Sequence, residues 1–218
     1  MRILVIAPHP DDEVLGCGGT IAKFAERGDE LHRLIITEAY EPDWSRDYQA
    51  RKAEEIRASG RILGIESTVS LGYPAVRLDT VPQKVLNDAI SGVVRDIAPD
   101  LAFIPHRGDL NRDHRIVFES ALVALRPVGT RCGQILSCEI PSETEWGRLL
   151  APFVPGMYVD ITGTLDTKIR AMEAYGTEVK ETPHPRSPEL LRALARLRGS
   201  EILVPYAESF MLVRGILG

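Results

Sequence analysis

Short apolar segments alternate with segments of helical periodicity along most of this 218-residue sequence, and no other feature constrains the fold as strongly. Residues 2–7 and 101–104 are continuous apolar runs of the kind that form buried strands. Further strands are predicted at 31–37, 67–71, 134–139 and 209–214, and helices at 18–27, 46–63, 82–97, 114–125, 163–175 and 188–198. Strands that alternate with helices predict βαβ units, and hence an α/β fold with a mostly parallel sheet and helices on both faces.

The regular alternation weakens after about residue 140, and a proline-rich loop at 182–188 interrupts the last third. The sequence contains no internal repeat, low-complexity tract or linker that would divide it. We therefore expect a single domain over residues 1–218, with a core at 1–140 and a C-terminal cap region at 141–218.

Composition argues against several classes of protein. The net charge is −5 and no basic stripe is present, so nucleic acid is not expected as the main partner. No apolar run is long enough to span a bilayer, and the first residues form a core strand rather than a signal peptide. The three cysteines (Cys17, Cys132 and Cys138) are odd in number and form no CxxC pair, so we expect a cytoplasmic location.

The loop after the first predicted strand carries one imidazole and three carboxylates within five residues, 9–13. His9 and Asp12 lie three residues apart, so both can fold back onto one point, and their side chains both bind zinc at about 2 Å. Asp11 would lie close to such a metal without binding it, where a carboxylate can take a proton from water. Because open α/β sheets bind ligands at the carboxyl ends of their strands, this position favours a metal site over a solvated acidic turn.

A glycine-rich turn at residues 16–19 offers a second interpretation of the same region. It follows a strand and opens a helix, and Glu38 ends the next strand, as in a dinucleotide-binding fingerprint. However, the spacing is GxGG rather than GxGxxG, and the neighbouring carboxylates would repel a pyrophosphate. The glycines fit better as positions where the helix starts close beneath the loop. A nucleotide-binding module is therefore the weaker alternative.

A second polar cluster follows the predicted strand 101–104. It contains His106, Asp109, Asn111 and His114, and it lies at the same rim of the sheet as the first loop. Catalytic zinc takes three protein ligands and one open position, so this cluster is expected to complete the site. His114 falls in the first turn of the next helix, where the helix terminus helps to keep an imidazole neutral, as a metal ligand must be.

The segments PHPDDEVLGCGGT at residues 8–20 and DLNRDHR at residues 109–115 resemble motifs of the PIG-L/LmbE-like N-deacetylases. These are zinc enzymes that remove acyl groups from amines of the N-acetylglucosamine type. The resemblance implies a Rossmann-like fold, a small-molecule amino-sugar substrate, and a homotrimer or homohexamer. It also implies Asp11 as general base and one zinc ion on three ligands: His9, Asp12 and His114. Fe²⁺ or another divalent ion would suit the same ligands.

Some positions depart from the family pattern. Many members carry a histidine where this chain has Asn111, and an aspartate where it has Ala75. Asn111 can still donate a hydrogen bond to an oxyanion, although it cannot act as an acid. His184 in the proline-rich loop is expected to supply an imidazole near the leaving amine. Substrate contacts are expected from Glu13, Asp109 and Glu208, and from Arg51 or Lys52 at the start of the long helix.

The sequence thus predicts a metal-dependent hydrolase, an N-deacetylase in which water attacks the acyl group of an amino sugar or sugar conjugate. Besides the nucleotide-binding module, two other functions stay open: hydrolysis of another amide or ester bond, or binding of a metal or sugar without catalysis. Asp11 argues against the second of these, because a pure binding site needs no base.

Overall fold

A computed structural model describes residues 1–216, in which the strands form one seven-stranded sheet. The strands are β1 (Arg2–Ala7), β2 (Glu30–Glu38), β3 (Ser67–Pro74), β4 (Leu101–Ile104), β5 (Gln134–Cys138), β6 (Met157–Asp160) and β7 (Ala207–Gly215). Their order across the sheet is β3-β2-β1-β4-β5-β7-β6. The first five strands pair in parallel, whereas β7 runs antiparallel to both β5 and β6.

Six helices within the described residues cover the two faces of the sheet. They are α1 (Asp12–Glu26), α2 (Arg46–Leu63), α3 (Gln83–Ile97), α4 (Arg112–Ala124), α5 (Leu165–Glu173) and α6 (Pro188–Ser200). One apolar core lies between the sheet and α1, α2, α5 and α6, and a second lies between the sheet and α3 and α4. The α/β fold predicted from the sequence is therefore confirmed.

The central strands β1 and β4 are enclosed on both faces. All four residues of β4 are buried, as are the last five of β1. A strand buried on both faces carries an unbroken apolar run, which explains why the sequence pattern reveals these two strands so clearly. The pattern does not reveal β6, because this strand has only four residues, all half-buried.

The chain order reverses at β1, which pairs with β2 on one side and with β4 on the other. The helices that follow β1 and β4 lie on opposite faces, because α1 packs in one core and α4 in the other. The two loops that leave these strands therefore diverge and open a crevice at the carboxyl edge of the sheet. Ligands of open α/β folds bind in such a crevice.

Residues after 140 both extend the sheet and cover this edge. They add β7 and β6 to the strands built by residues 1–140. The loop between α5 and α6 returns to the crevice, where Arg186 lines a cavity. The C-terminal third is thus part of the sheet as well as a cap.

The first helix is kinked, and a glutamate of β7 supports the part beyond the kink. α1 begins earlier than its helical pattern predicts, and Cys17 within it has non-helical φ and ψ of −150° and 20°. Beyond the kink, the backbone N–H groups of Gly19 and Thr20 donate to the two carboxylate oxygens of Glu208 at 3.0 and 2.7 Å. Lys168 Nζ lies 2.6 Å from the same carboxylate. Glu208 therefore supports α1 rather than the crevice, which corrects the expectation that it contacts substrate.

The glycine-rich turn owes its composition to close packing. A Cβ at Gly19 would lie 2.8–3.0 Å from three side-chain atoms of Ile161, and a Cβ at Gly16 would lie 2.8 Å from Cys138 Cβ. Both glycines are buried, and the Gly19 N–H already donates to Glu208. The turn therefore has no open surface for a pyrophosphate, which removes the support for a dinucleotide site.

Two general expectations bear on the environment of the protein. In the described part of the chain, no helix combines the length and apolar character needed to cross a membrane. The three cysteines are buried and unbridged. The cytoplasmic location stays a prediction.

Replacement of Gly19 by alanine tests the packing of α1. Gly19→Ala is expected to lower the free energy of unfolding by about 1–3 kcal/mol, because overpacking forces Ile161 out of place. Gly92 in α3 is the matched control, since among the described residues only its own helix backbone and chain neighbours lie within 4 Å of a Cβ built there. Gly92→Ala should raise the free energy of unfolding by about 0.5–1 kcal/mol. Urea denaturation measures both, and a Gly19→Ala protein of wild-type stability would refute the packing argument.

Candidate metal centre

His9, Asp12 and His114 converge in the crevice between β1 and β4. His9 Nδ1 lies 3.2 Å from His114 Nε2, and Asp12 Oδ2 lies 3.3 Å from each of these nitrogens. Three atoms bound to one ion at about 2 Å with tetrahedral angles would be about 3.3 Å apart, so the spacing fits a zinc-sized ion. The structure thus brings together the three side chains that the family resemblance implies as ligands.

A carboxylate holds the remaining ring nitrogen of each histidine. His114 Nδ1 lies 2.8 Å from Asp109 Oδ2, and His9 Nε2 lies 3.1 Å from Asp113 Oδ2. Such contacts fix the ring orientation and the tautomer that presents the other nitrogen to a metal. Asp109 is fully buried, and its second oxygen accepts a hydrogen bond from Thr144 Oγ1 at 2.7 Å. It orients His114 and does not line the cavity, which corrects its expected role in substrate binding.

Asp113 is a site residue that the sequence reasoning missed. Besides holding His9, its carboxylate accepts the backbone N–H groups of Val76 at 2.6 Å and Leu78 at 3.2 Å. It therefore ties the loop after β3 to the metal centre. Its position directly before His114 could have indicated this role. However, an acidic residue in the first turn of a helix is also expected from its favourable interaction with the helix dipole.

The three donor side chains sit in a field that attracts positive charge. Burial would raise the pKa of the Asp12 carboxyl, but His114 and His9 outweigh burial and hold that pKa below its usual range. Burial would lower the pKa of His9, but hydrogen bonds to Asp113 and Asp12 outweigh it and raise the pKa to about 9. Protons and a metal ion therefore compete for the same donors.

Asp11 lies beside these donors without joining them. Its backbone has a left-handed φ of 115°, its side chain is buried, and its Oδ2 accepts a hydrogen bond from Arg186 Nη1 at 3.2 Å. Burial raises the pKa of this carboxyl well above its usual range, Asp12 adds to the rise, and Arg186 opposes it. A buried carboxyl with a raised pKa at a metal site has the properties of a general base.

His9, Asp11 and Asp12 line a cavity of about 210 Å³. Asn111 also lines it, and its Oδ1 caps α4 by accepting the backbone N–H of Asp113 at 3.0 Å. Its Nδ2 is then left as a donor for the cavity, as the sequence predicts for an oxyanion contact. Trp44, just before α2, and Tyr48, in its first turn, supply aromatic lining.

Glu13, the third carboxylate of the first motif, does not reach the cavity. Its Oε1 pairs with Arg33 Nη1 and accepts a hydrogen bond from Tyr175 Oη at 2.8 Å, and its Oε2 accepts the Asp11 N–H at 3.1 Å. Arg33 is fully buried within β2, and a buried cation needs a hydrogen-bonded counter-ion. Glu13 therefore supports the metal-binding loop from the core, which corrects the expectation of a substrate contact.

Arg51 and His184 also lie outside the cavity, and each has a close neighbour in the chain that lines it. Arg51 is exposed on α2, whereas Lys52 is buried and lines the cavity. His184 packs edge-on against Trp146 with ring centroids 6.4 Å apart, whereas Arg186 reaches the cavity and Asp11. The two segments thus reach the cavity through Lys52, the alternative to Arg51, and through Arg186, which the sequence reasoning missed.

Arg186 and Lys52 belong to one partly buried ion network. Arg186 Nη1 lies 3.1 Å from Glu178 Oε2, and Lys52 Nζ lies 2.6 Å from Glu178 Oε1. Arg186 Nη2 also lies 3.6 Å from Glu143 Oε1. The network connects α2 and the C-terminal loop to Asp11.

Three side chains that could hold a metal ion lie at the carboxyl edge of a parallel sheet with a buried carboxylate beside them, an arrangement that suits metal-assisted hydrolysis. The family model described as "PIG-L: GlcNAc-PI de-N-acetylase" matches residues 4–125. The chain belongs to the PIG-L family, and it is an enzyme of the deacetylase class.

Individual relatives agree with this assignment. The chain is 31% identical over 148 residues to the uncharacterized deacetylase YaiS of Escherichia coli K12, a match that covers 64% of this chain and 74% of that protein. It is 25% identical over 229 residues to the diacetylchitobiose deacetylase of Thermococcus kodakarensis, with 99% and 84% covered. The crystal structure of the conserved protein TT1542 from Thermus thermophilus matches with a TM-score of 0.80 and 28% identity over 100% and 97% of the two chains.

Removal of the Asp109 carboxylate tests the architecture of the centre. Asp109→Ala is expected to weaken zinc binding by about 10- to 100-fold, because His114 loses the group that fixes its ring. Asp88→Ala, which removes an exposed carboxylate from α3, is the control and should bind zinc as the wild type does. Competition with a chromophoric chelator measures both affinities. Equal affinities in the two variants would contradict the orienting role.

Proposed function

We propose that this enzyme hydrolyses the N-acetyl group of an N-acetylglucosamine-type amino sugar or sugar conjugate, with zinc held by His9, Asp12 and His114. The observation that carries the proposal is the set of three donor atoms 3.2–3.3 Å apart, with Asp11 in the same cavity. The name of the Thermococcus relative, a diacetylchitobiose deacetylase, supports the choice of substrate class.

Two imidazoles and one carboxylate suit zinc, although the same donors also accept Fe²⁺ and other divalent ions. A metal ion held by them would polarise the acyl carbonyl and lower the pKa of water at the site. The remaining tasks, which are proton transfer, orientation and stabilisation of the oxyanion, fall to side chains of this protein.

Asp11 is the proton carrier in this proposal. Its carboxylate takes a proton from the attacking water, and the carboxylic acid that results returns a proton to the leaving amine. No second acid is then required, which agrees with the place of His184 outside the cavity. Asn111 Nδ2 donates to the oxyanion that forms at the acyl carbon.

Arg186 acts as the positioning residue for Asp11. Its Nη1 is shared between Asp11 Oδ2 and Glu178 Oε2, and its Nε donates to Ser142 Oγ at 2.8 Å. These contacts hold the guanidinium on three sides, so it keeps the Asp11 carboxylate in one orientation. Correct orientation of a general base contributes a large part of its effect on the reaction rate.

Asparagine at position 11 separates metal binding from catalysis. Asp11→Asn is expected to keep its metal and to release amine from N,N′-diacetylchitobiose about 10²- to 10⁴-fold more slowly, because the amide cannot accept the proton. Metal analysis of protein purified without chelator, combined with a fluorogenic amine assay, measures both properties.

The matching control for this assay is wild-type protein stripped by a chelator. It should lose amine release and regain it when Zn²⁺ is added. Wild-type turnover by Asp11→Asn would disprove the base assignment. A wild-type protein that neither contains nor takes up a metal would disprove the proposed function.

Two arginine substitutions separate the cavity from the helix surface. Arg186→Met is expected to lower kcat by up to about 10²-fold, because Asp11 loses its orienting partner while the metal ligands stay in place. Arg51→Met removes an exposed arginine from α2 and should leave kcat unchanged. Steady-state kinetics with metal analysis compares them. The positioning role fails if Arg186→Met raises only KM, or if Arg186→Lys restores nothing of a lowered kcat.

A further inference from the structure

The cations that line the cavity are already paired with carboxylates of the protein. Lys52 Nζ lies 2.6 Å from Glu178 Oε1 and 3.2 Å from Glu55 Oε2. Arg186 Nη1 contacts Asp11 and Glu178 at 3.2 and 3.1 Å. An anionic group on a substrate would have to displace these partners before it could pair with either cation.

Carboxylates also outnumber cations around the cavity. Two basic side chains, Lys52 and Arg186, stand against five acidic ones: Asp11, Asp12, Glu38, Glu143 and Glu178. His9 also lines the cavity and is neutral when it binds a metal. A divalent ion at the metal centre would leave this lining without excess positive charge. The walls of a cleft have a low dielectric constant, so the electric field of the lining charges acts strongly on a substrate that enters the cavity.

Glu38 differs from the other four acidic side chains. It is exposed at the carboxyl end of β2, and within residues 1–216 its carboxylate has no hydrogen-bond or ion-pair partner. Gly72 leaves room for it, since a Cβ there would lie 3.3 Å from Glu38 Oε1. The neighbouring Ala75 lines the cavity without a polar side chain. Glu38 is therefore a free acceptor on this wall.

An aromatic ring shares the cavity with this carboxylate. Trp44 lines the cavity and is half-buried, and its ring meets that of Tyr40 edge-on with centroids 5.5 Å apart. Sugars stack their C–H faces on such rings, and their hydroxyl or ammonium groups donate hydrogen bonds to carboxylates. The combination suits an uncharged or cationic sugar.

We propose that the enzyme selects amino sugars that are uncharged or cationic next to the acylated amine, and that it rejects those with a phosphate or carboxylate there. Glu38 is the specificity-determining residue: it accepts a hydroxyl or ammonium group of the substrate and repels an anion. This inference rests on the proposed function, because it concerns the substrate of the same cavity. A substrate anion placed beside an unpaired carboxylate is repelled, which opposes binding. A metal ion in the cavity would attract the anion, but the carboxylates that line the cavity offset this attraction.

The test compares two substrates with the same acetamide and different charge. These are the methyl glycoside of N-acetylglucosamine and N-acetylglucosamine 1-phosphate, assayed with zinc-loaded protein. The wild type should show a kcat/KM at least about tenfold higher for the neutral glycoside. Glu38→Lys should reduce this ratio at least about threefold, and Glu38→Gln should fall between the two.

The matched control is Glu66→Lys, which makes the same change of charge just before β3, at the opposite edge of the sheet. It should leave the ratio at the wild-type value. Equal or better hydrolysis of the phosphate, or a ratio that Glu38→Lys leaves unchanged, would overturn the inference while the proposed function stands.

Failure of the proposed function gives a different result, in which neither sugar releases amine. The charge preference is then decided by calorimetric affinities of the two sugars for zinc-loaded Asp11→Asn protein. Tighter binding of the neutral glycoside supports the inference, and equal or tighter binding of the phosphate overturns it.

Discussion

The metal centre depends on the parallel pairing of β1 with β4. Residues 3–5 lie in register with residues 101–103, and this register sets where the two following loops end. A slip of one residue would move a ligand by about 3.3 Å along the strand, which equals the spacing of the donor atoms themselves. The apolar cores on both faces of these strands fix the register, so the chemistry at the rim rests on hydrophobic packing beneath it.

The sequence predicts most of the helices and strands from local signals, and the family resemblance implies the three candidate ligands that the structure brings together. Buried strands are unbroken apolar runs, and Gly64 ends α2 with a left-handed φ of 73°, as expected of a glycine at a helix terminus. The contacts that support the ligands join distant elements and are not visible locally. Successive side chains of a helix point in directions about 100° apart. This rotation places Arg51 on the exposed face of α2 and Lys52 on the buried face. Trimeric or hexameric assembly stays a prediction.

Buried polar side chains connect the loops of this site to distant parts of the chain. Glu13 reaches Arg33 in β2, and Asp113 binds the backbone after β3. Arg186 brings the C-terminal loop to Asp11. Each contact gives a partner to a polar group that would be costly to bury alone. The position of each of these loops is therefore specified by another element.

The kink in α1 has a consequence for how the protein matures. The carboxylate that accepts hydrogen bonds from the two backbone N–H groups beyond the kink belongs to Glu208, in β7. A nascent chain from which His9, Asp12 and His114 have all emerged still lacks the carboxylate of Glu208. The native contacts of the helix that carries Asp12 are therefore complete only when β7 has joined the sheet.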